Sequence, residues 1–215
     1  MAIGRDYLFS DAKCLKLNIE FPHTEIFKEV SALRAKFVEY RSSYKTKGWY
    51  SLPIIGKSSK DPYAWNSYYD SCQDAVKDMQ WTEIAELCPV TKQWLEDVYP
   101  SKHYARVRFM LLEPGGYIEP HTDTDYRILG AVNFAITHPK ECVWHWDNDT
   151  LDFLPGDAYA VNISYTHSVK NDSNQDRYHL IVHHYDSIDD WKLIMKNAME
   201  EQNVQGNFHF STELF

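Results

Sequence analysis

The chain has 215 residues, room for one substantial domain, and its 44% hydrophobic and 25% charged content is that of a folded globular protein. A formal net charge of −9 argues against a general nucleic-acid binder, which presents a basic face, so no nucleic-acid partner is expected. No apolar run reaches the length of a transmembrane helix and the start lacks a secretory pattern, so no membrane partner is expected. The four scattered cysteines, without a CxxC pair, suit reduced thiols in a cytoplasm.

In chain order, the first clear element is amphipathic. Thr24 to Tyr40 carries Ile26, Phe27, Val30, Leu33, Phe37 and Val38 at helical spacing, and Thr24 is placed to open the helix. The polar stretch from Arg41 to Asp70, broken by Gly and Pro, predicts one or two short strands among loops. The N-terminal half, its aromatic-rich Trp49 to Tyr69 stretch included, is the expected source of a lid. A second helix is expected from Pro89 to Val98, with Trp94 and Val98 stacked at i,i+4.

After Pro100 the period changes to two. Tyr104 to Leu112 sets Val107, Phe109 and Leu111 on one face and Arg106, Arg108 and Met110 on the other. Further strand-like runs are Leu129 to Ile136, Val143 to Trp146, Ala158 to Ile163 and Tyr178 to His183. They are separated by Pro114-Gly115-Gly116, His138-Pro139, Asn148-Asp149 and Pro155-Gly156-Asp157. Short strands at this spacing predict a sandwich or jelly-roll barrel. Ser187 with Asp190 resembles a capping box, opening a last helix through Trp191, Ile194 and Ala198. The expected organisation is a single domain: an N-terminal helical and lid region over 1–103, a jelly-roll core over 104–186, and a C-terminal helix and tail over 187–215.

The chemistry-bearing segment is Glu119-Pro120-His121-Thr122-Asp123. On an extended strand end, residues i and i+2 point the same way, so His121 and Asp123 can reach one metal. His167 follows 44 residues after Asp123 and is the candidate third ligand. Two His and one carboxylate on one face of a metal leave open positions for substrate and dioxygen, the arrangement of non-haem iron(II) oxygenases. The triplet alone is common; its companions raise its weight. Pro114-Gly115-Gly116 is expected to turn the chain ahead of it, and Gly156 starts a strand that ends near His167. Arg177, ten residues beyond His167, opens the next strand. There it can clamp a carboxylate through two parallel hydrogen bonds; the bland alternative is an exposed salt bridge to Asp172 or Asp176.

These pieces together resemble the aspartyl/asparaginyl β-hydroxylase family of iron(II)- and 2-oxoglutarate-dependent oxygenases. The resembling stretch runs from Arg108 to Tyr185: Glu113-Pro114-Gly115, Pro120-His121-Thr122-Asp123, Pro139-Lys140, Gly156-Asp157 with His167 eleven residues on, and Arg177. The resemblance implies an α+β chain with a double-stranded β-helix (jelly-roll, cupin-like) core and N-terminal helices packed on it. It implies His121 and His167 as iron ligands, Arg177 as partner of the 2-oxoglutarate C5 carboxylate, and dioxygen as co-substrate. Asp123 completes the triad where animal members carry Gly, which turns the comparison toward prokaryotic relatives that hydroxylate free proline. Asn133 stands where the family places a His near the co-substrate, and Met110 where it places a Ser. By parity, Arg108 shares the face of Met110 and Arg127 that of Asn133. With Arg106, also on the face of Met110, they are candidate contacts for a carboxylate of substrate or co-substrate, Arg108 and Arg127 foremost, with surface salt bridging the alternative for each.

His179 and His183 share the parity of Arg177 and are expected to line or back the pocket. His103, His138 and His145 have no partner at a recognisable spacing, and Trp144 and Trp146 are expected to pack the barrel. The function expected is hydroxylation of a small-molecule or peptide substrate, an amino acid free or within a chain, with release of succinate and carbon dioxide. The rivals are a non-catalytic β-barrel binding module with a vestigial metal site and a cupin-like metalloenzyme that does not use 2-oxoglutarate.

Overall fold

A computed structural model describes residues 7–9, 14–40, 46–61, 79–123, 129–146, 149–184, 188–197 and 209–211. Its centre is one long strand, β6 (Tyr104–His121), which serves two sheets in turn. The first part, through Leu112, pairs with β12 (Arg177–His184), and the last part pairs with β11 (His167–Asn171). Gly115, at φ +70°, lies where the strand passes from one sheet to the other. At Gly116 an added Cβ would sit 2.7 Å from the Glu113 carbonyl and 2.9 Å from that of Lys47, so only glycine fits there. Pro114-Gly115-Gly116 therefore bends a continuing strand and does not reverse the chain.

From β6 the larger sheet continues through β12 to β7 (Leu129–Ala135), β10 (Ala158–Asn162) and β2 (Cys14–Leu17). The smaller runs through β11 to β8 (Cys142–Trp146) and β9 (Asp149–Leu151). All these pairings are antiparallel. This is a double-stranded β-helix, and with its helices the chain is α+β as expected. Strand β4 (Thr46–Gly56) flanks β6 along most of its length and carries two short partners, β3 (Val38–Glu39) and β5 (Gln80–Trp81). A separate two-stranded sheet joins β1 (Tyr7–Phe9) to β13 (His209–Ser211).

Alternation sorts the strand residues into two cores. Val107, Phe109, Leu111, Val132, Phe134, Tyr178, Leu180 and Val182 face outward from the larger sheet. Helices α1 (His23–Ala32) and α2 (Pro89–Asp97) cover that face with Ile26, Val30, Trp94 and Leu95. Trp94 stands edge-on to Phe21 and Phe134, at 5.0 and 4.9 Å between ring centroids. The second core, between the sheets, holds Leu112, Ile118, Cys142, Trp144, Trp146, Phe153, Tyr159 and Val169.

The first helix is shorter than its apolar spacing predicts. After Ala32 the chain makes a 3-10 turn at Arg34–Lys36, and Val38 and Glu39 then pair with Ser51 and Tyr50 of β4. The sheet claims those backbone groups while Phe37 still packs on Tyr178, so the pattern reads as apolar without remaining helical. The N-cap is Pro22, not Thr24, and it offers no side-chain hydrogen bond. In α2, Pro89 stands in the first turn as expected, and Glu29 of α1 caps it by accepting from the Val90 and Thr91 amides at 2.6 and 3.1 Å. Trp94 is buried but Val98 is exposed, so the expected i,i+4 pair does not share the core.

The stretch expected to hold one or two short strands folds instead, over Thr46–Gly56, into a single 11-residue strand. Residues 62–69 of the expected lid lie outside the described residues. Helix α3 (Ile188–Met195) buries Trp191 and Ile194, and its Asp190 accepts the Ser101 hydroxyl at 2.5 Å. Ser187 and Ala198 lie outside the described residues.

Candidate metal centre and its anion sockets

His121 ends β6 and His167 begins β11, and the two stand opposite each other in the ladder. A cross-strand pair brings side chains of one face together, and their rings lie 4.3 Å apart. Asp123 follows in the bend after β6, held by its amide donating to the Ile163 carbonyl at 3.0 Å. His121 Nε2 stands 3.8 Å from one Asp123 carboxylate oxygen and His167 Nε2 stands 3.9 Å from the other. One ligand atom from each of the three residues falls within 4.8 Å of the others.

The ring orientations decide which nitrogens are offered. His121 Nδ1 lies 2.7 Å from the Glu119 carbonyl and His167 Nδ1 lies 2.9 Å from the Tyr165 carbonyl. A carbonyl only accepts, so each Nδ1 carries the proton and each Nε2 turns its lone pair toward Asp123. Fixing a ligating imidazole through its other nitrogen is how metal sites set tautomer and direction. Ligand atoms held about 2.1 Å from one divalent ion stand about 3–4 Å apart, which the nitrogen-to-carboxylate distances match. The three residues fit a metal.

Arg177 begins β12 and is buried, so the exposed salt bridge is excluded. Asp176 pairs instead with Arg34 at 2.6 Å and Asp172 with Lys170 at 2.8 Å. Among the described residues Arg177 has no carboxylate partner; its Nη2 meets His179 Nδ1 at 2.9 Å and its Nε meets His138 Nδ1 at 3.4 Å. Burial pushes the guanidinium down to about 10, so it stays charged at neutral pH. A buried cation with no carboxylate partner among the described residues is costly to enclose. Between this cation and the metal residues lies Trp144, its ring 6.0 Å from that of His167 and 5.6 Å from the Arg177 guanidinium carbon. Among the described residues the Trp144 indole N–H is buried without a partner.

Arg108 is a second buried cation, on the strand face shared with Met110 and Leu112. Its guanidinium lies over the Tyr40 ring at 4.4 Å, and its Nε and Nη1 have no hydrogen-bond partner. Asn133 is also buried; its Nδ2 donates weakly to the Ala131 carbonyl at 3.4 Å and its Oδ1 is unpartnered. Met110 is buried beside Ser51 of β4 and His179 of β12 in the ladder. Arg127 lies outside the described residues.

Sequence spacing gave no sign of His138, which the fold sets against both His179 and Arg177, nor of Tyr40, which stacks on Arg108. The Pro139 that follows His138 marks a loop, but no periodicity relates that loop to a strand 40 residues away in the chain. His184 packs on Trp191 at 4.5 Å, away from this cluster.

A double-stranded β-helix with two His and one Asp converging at the mouth of its inner core defines a class of metal-dependent oxygenases. Residues 20–186 match the family described as aspartyl/asparaginyl beta-hydroxylase, and the chain belongs to that family. It is therefore an enzyme of the hydroxylase class. Among curated proteins none matches the chain in sequence.

Solved structures that align with it include a Trichoplax adhaerens prolyl hydroxylase in complex with a hypoxia inducible factor peptide fragment. That alignment has 13% identity, covers 88% of this chain and 89% of that one, and has a TM-score of 0.48. A Pseudomonas putida prolyl-4-hydroxylase aligns at 12% identity over 81% and 93% of the two chains, with a TM-score of 0.45. A 2OG-Fe(II) oxygenase family oxidoreductase from Burkholderia pseudomallei aligns at 12% over 74% and 77%, with a TM-score of 0.39.

Proposed function

We propose that the chain is an iron(II)- and 2-oxoglutarate-dependent hydroxylase of an amino acid, free or within a peptide, with its metal held by His121, Asp123 and His167. The observation that carries this reading is the pair of imidazoles pinned through Nδ1, with both Nε2 atoms converging on the Asp123 carboxylate. Iron(II) and 2-oxoglutarate bound there supply oxidation of an unactivated C–H bond by dioxygen, giving alcohol, succinate and carbon dioxide.

The protein's own part is ligation, orientation and exclusion of water. Three side chains on one side of the ion leave its other positions for the co-substrate and dioxygen. Arg177 holds the far carboxylate of 2-oxoglutarate, and its burial without another counter-charge supports that role. Trp144 walls the passage between metal and arginine and offers its unpartnered N–H inside it. Asn133 offers an unpartnered carbonyl oxygen to the same interior. Arg108, stacked on Tyr40 with two nitrogens unpartnered, is suited to a substrate carboxylate. Arg127 joins it on its sequence position alone.

No helix among the described residues is long and apolar enough to cross a membrane. Among the described residues Cys88 and Cys142 are free thiols, which fits the reducing cytoplasm in which we place the enzyme.

Anaerobic titration of the iron-loaded chain with 2-oxoglutarate tests the reading. A visible metal-to-ligand charge-transfer band is expected. Iron bound without that band overturns the co-substrate assignment and favours a metal-binding barrel that works without 2-oxoglutarate.

A further inference from the structure

Behind Arg177 the structure holds a directed chain of hydrogen bonds that metal and co-substrate binding do not by themselves require. It starts at a backbone carbonyl. His138 Nε2 lies 2.7 Å from the Cys142 oxygen, and since that oxygen can only accept, Nε2 carries the proton. A neutral His138 then has a lone pair on Nδ1, into which His179 Nε2 donates at 3.1 Å. That leaves His179 Nδ1 as an acceptor, and Arg177 Nη2 stands 2.9 Å from it. Arg177 Nε also reaches His138 Nδ1, at 3.4 Å. The polarity of every link follows from the first.

The surroundings hold both rings neutral. Phe153 packs against His138 and His179 with centroids 5.3 and 4.8 Å away, and His179 has no exposed surface. Burial and the Arg177 charge push the His138 imidazole down to about 3, although its bond to the Cys142 carbonyl opposes this. Burial, Arg177 and His138 together hold His179 well below its ordinary value. A second proton on either ring would set N–H against N–H or against a guanidinium.

We propose that His138 and His179 are positioning residues: as a neutral pair they grip Arg177 by its Nε and Nη2 atoms, so that its Nη1 and the free Nη2 hydrogen meet a carboxylate of 2-oxoglutarate. This rests on the reading of Arg177 as the co-substrate anchor. An Asp or Glu in their place would orient the guanidinium equally well but would cancel the charge that the ligand needs. Two imidazoles orient it and leave the charge intact.

Ring nitrogens observed by long-range proton–nitrogen-15 correlation in the zinc-loaded chain test the geometry directly, with assignments from His138→Gln and His179→Gln. Both rings are expected to be neutral Nε2–H tautomers at pH 7; an imidazolium or an Nδ1–H tautomer on either overturns the proposal.

Calorimetric titration of the manganese(II)-loaded chain with 2-oxoglutarate under nitrogen tests the role. His179→Leu is expected to bind 2-oxoglutarate about 10- to 100-fold more weakly, as expected for one lost hydrogen bond to a charged group, with manganese affinity unchanged. His179→Gln, whose amide oxygen can accept from Nη2, is expected to recover most of the loss. Wild-type affinity in His179→Leu, or a parallel fall in manganese affinity, overturns the positioning role alone. Wild-type protein that binds manganese but not 2-oxoglutarate overturns the anchor reading and this proposal with it.

Discussion

The two faces of the larger sheet are made by alternate residues of the same strands, yet they are chemically opposite. Outward from β6, β7 and β12 point Val107, Phe109, Val132, Phe134, Leu180 and Val182, all at 0% exposure beneath the helices. The residues between them on the other face include Arg108, Asn133, Arg177 and His179, also buried, and among the described residues Arg108 and Asn133 keep polar atoms without a partner. Each large apolar side chain on the outer face contributes about 1.5–3 kcal/mol. Each unpartnered polar group on the inner face costs about 1–3 kcal/mol. One face holds the sheet together so that the other can keep charges and donors ready for a ligand.

The sharpest break in that contrast is His167→Ala. It removes one of the three proposed ligands, and metal affinity is expected to fall about a hundredfold or more by direct titration, with hydroxylation lost and thermal stability of the metal-free chain nearly unchanged. Phe134→Ala attacks the other face: a cavity beside Phe21, Trp94 and Tyr99 is expected to cost about 3–5 kcal/mol in urea unfolding. Metal affinity of the protein that remains folded should stay as it was.

Arg177→Met separates stability from function. Loss of the clamp is expected to weaken 2-oxoglutarate by about 2–5 kcal/mol in binding measurements. Because the mutation also removes an unpaired buried cation, the unfolding midpoint should not drop.

The last contrast is in pH. His138 and His179 take up protons near 6.5 in the unfolded chain, but His138 does so only at about 3 in the folded one and His179 likewise well below its ordinary value. The unfolded state therefore binds more protons below pH 6.5, so stability is full above that value and declines as the pH falls toward about 3. Urea midpoints measured from pH 7 to pH 4 should show that slope, and His138→Gln should flatten it.

Local pattern was enough for much of the barrel. The strand-like runs from Tyr104 onward located the first half of β6 and also β7, β8, β10 and β12, with turn residues between them, but missed β9 and β11. The candidate ligands His121 and Asp123 were legible by their spacing of two, although β6 ends at His121 and Asp123 lies in the bend after it. Where the pattern misled, the backbone had been claimed from a distance: Val38 and Glu39 continue an apolar helical spacing but pair with β4. Pro114-Gly115-Gly116 carries turn residues, yet β4, β11 and β12 together hold it within one strand.

Read along the chain, the residues already showed the alternating strands, the order and spacing of His121, Asp123 and His167, and through them the resemblance to the hydroxylase family. It took the folded sheets to bury Arg177 with no carboxylate partner among the described residues, to lay Tyr40 under Arg108, and to close a hydrogen-bonded chain from His138 through His179. Those relations join groups far apart in the chain, and which of them meet is settled by how the sheets curl around the inner core.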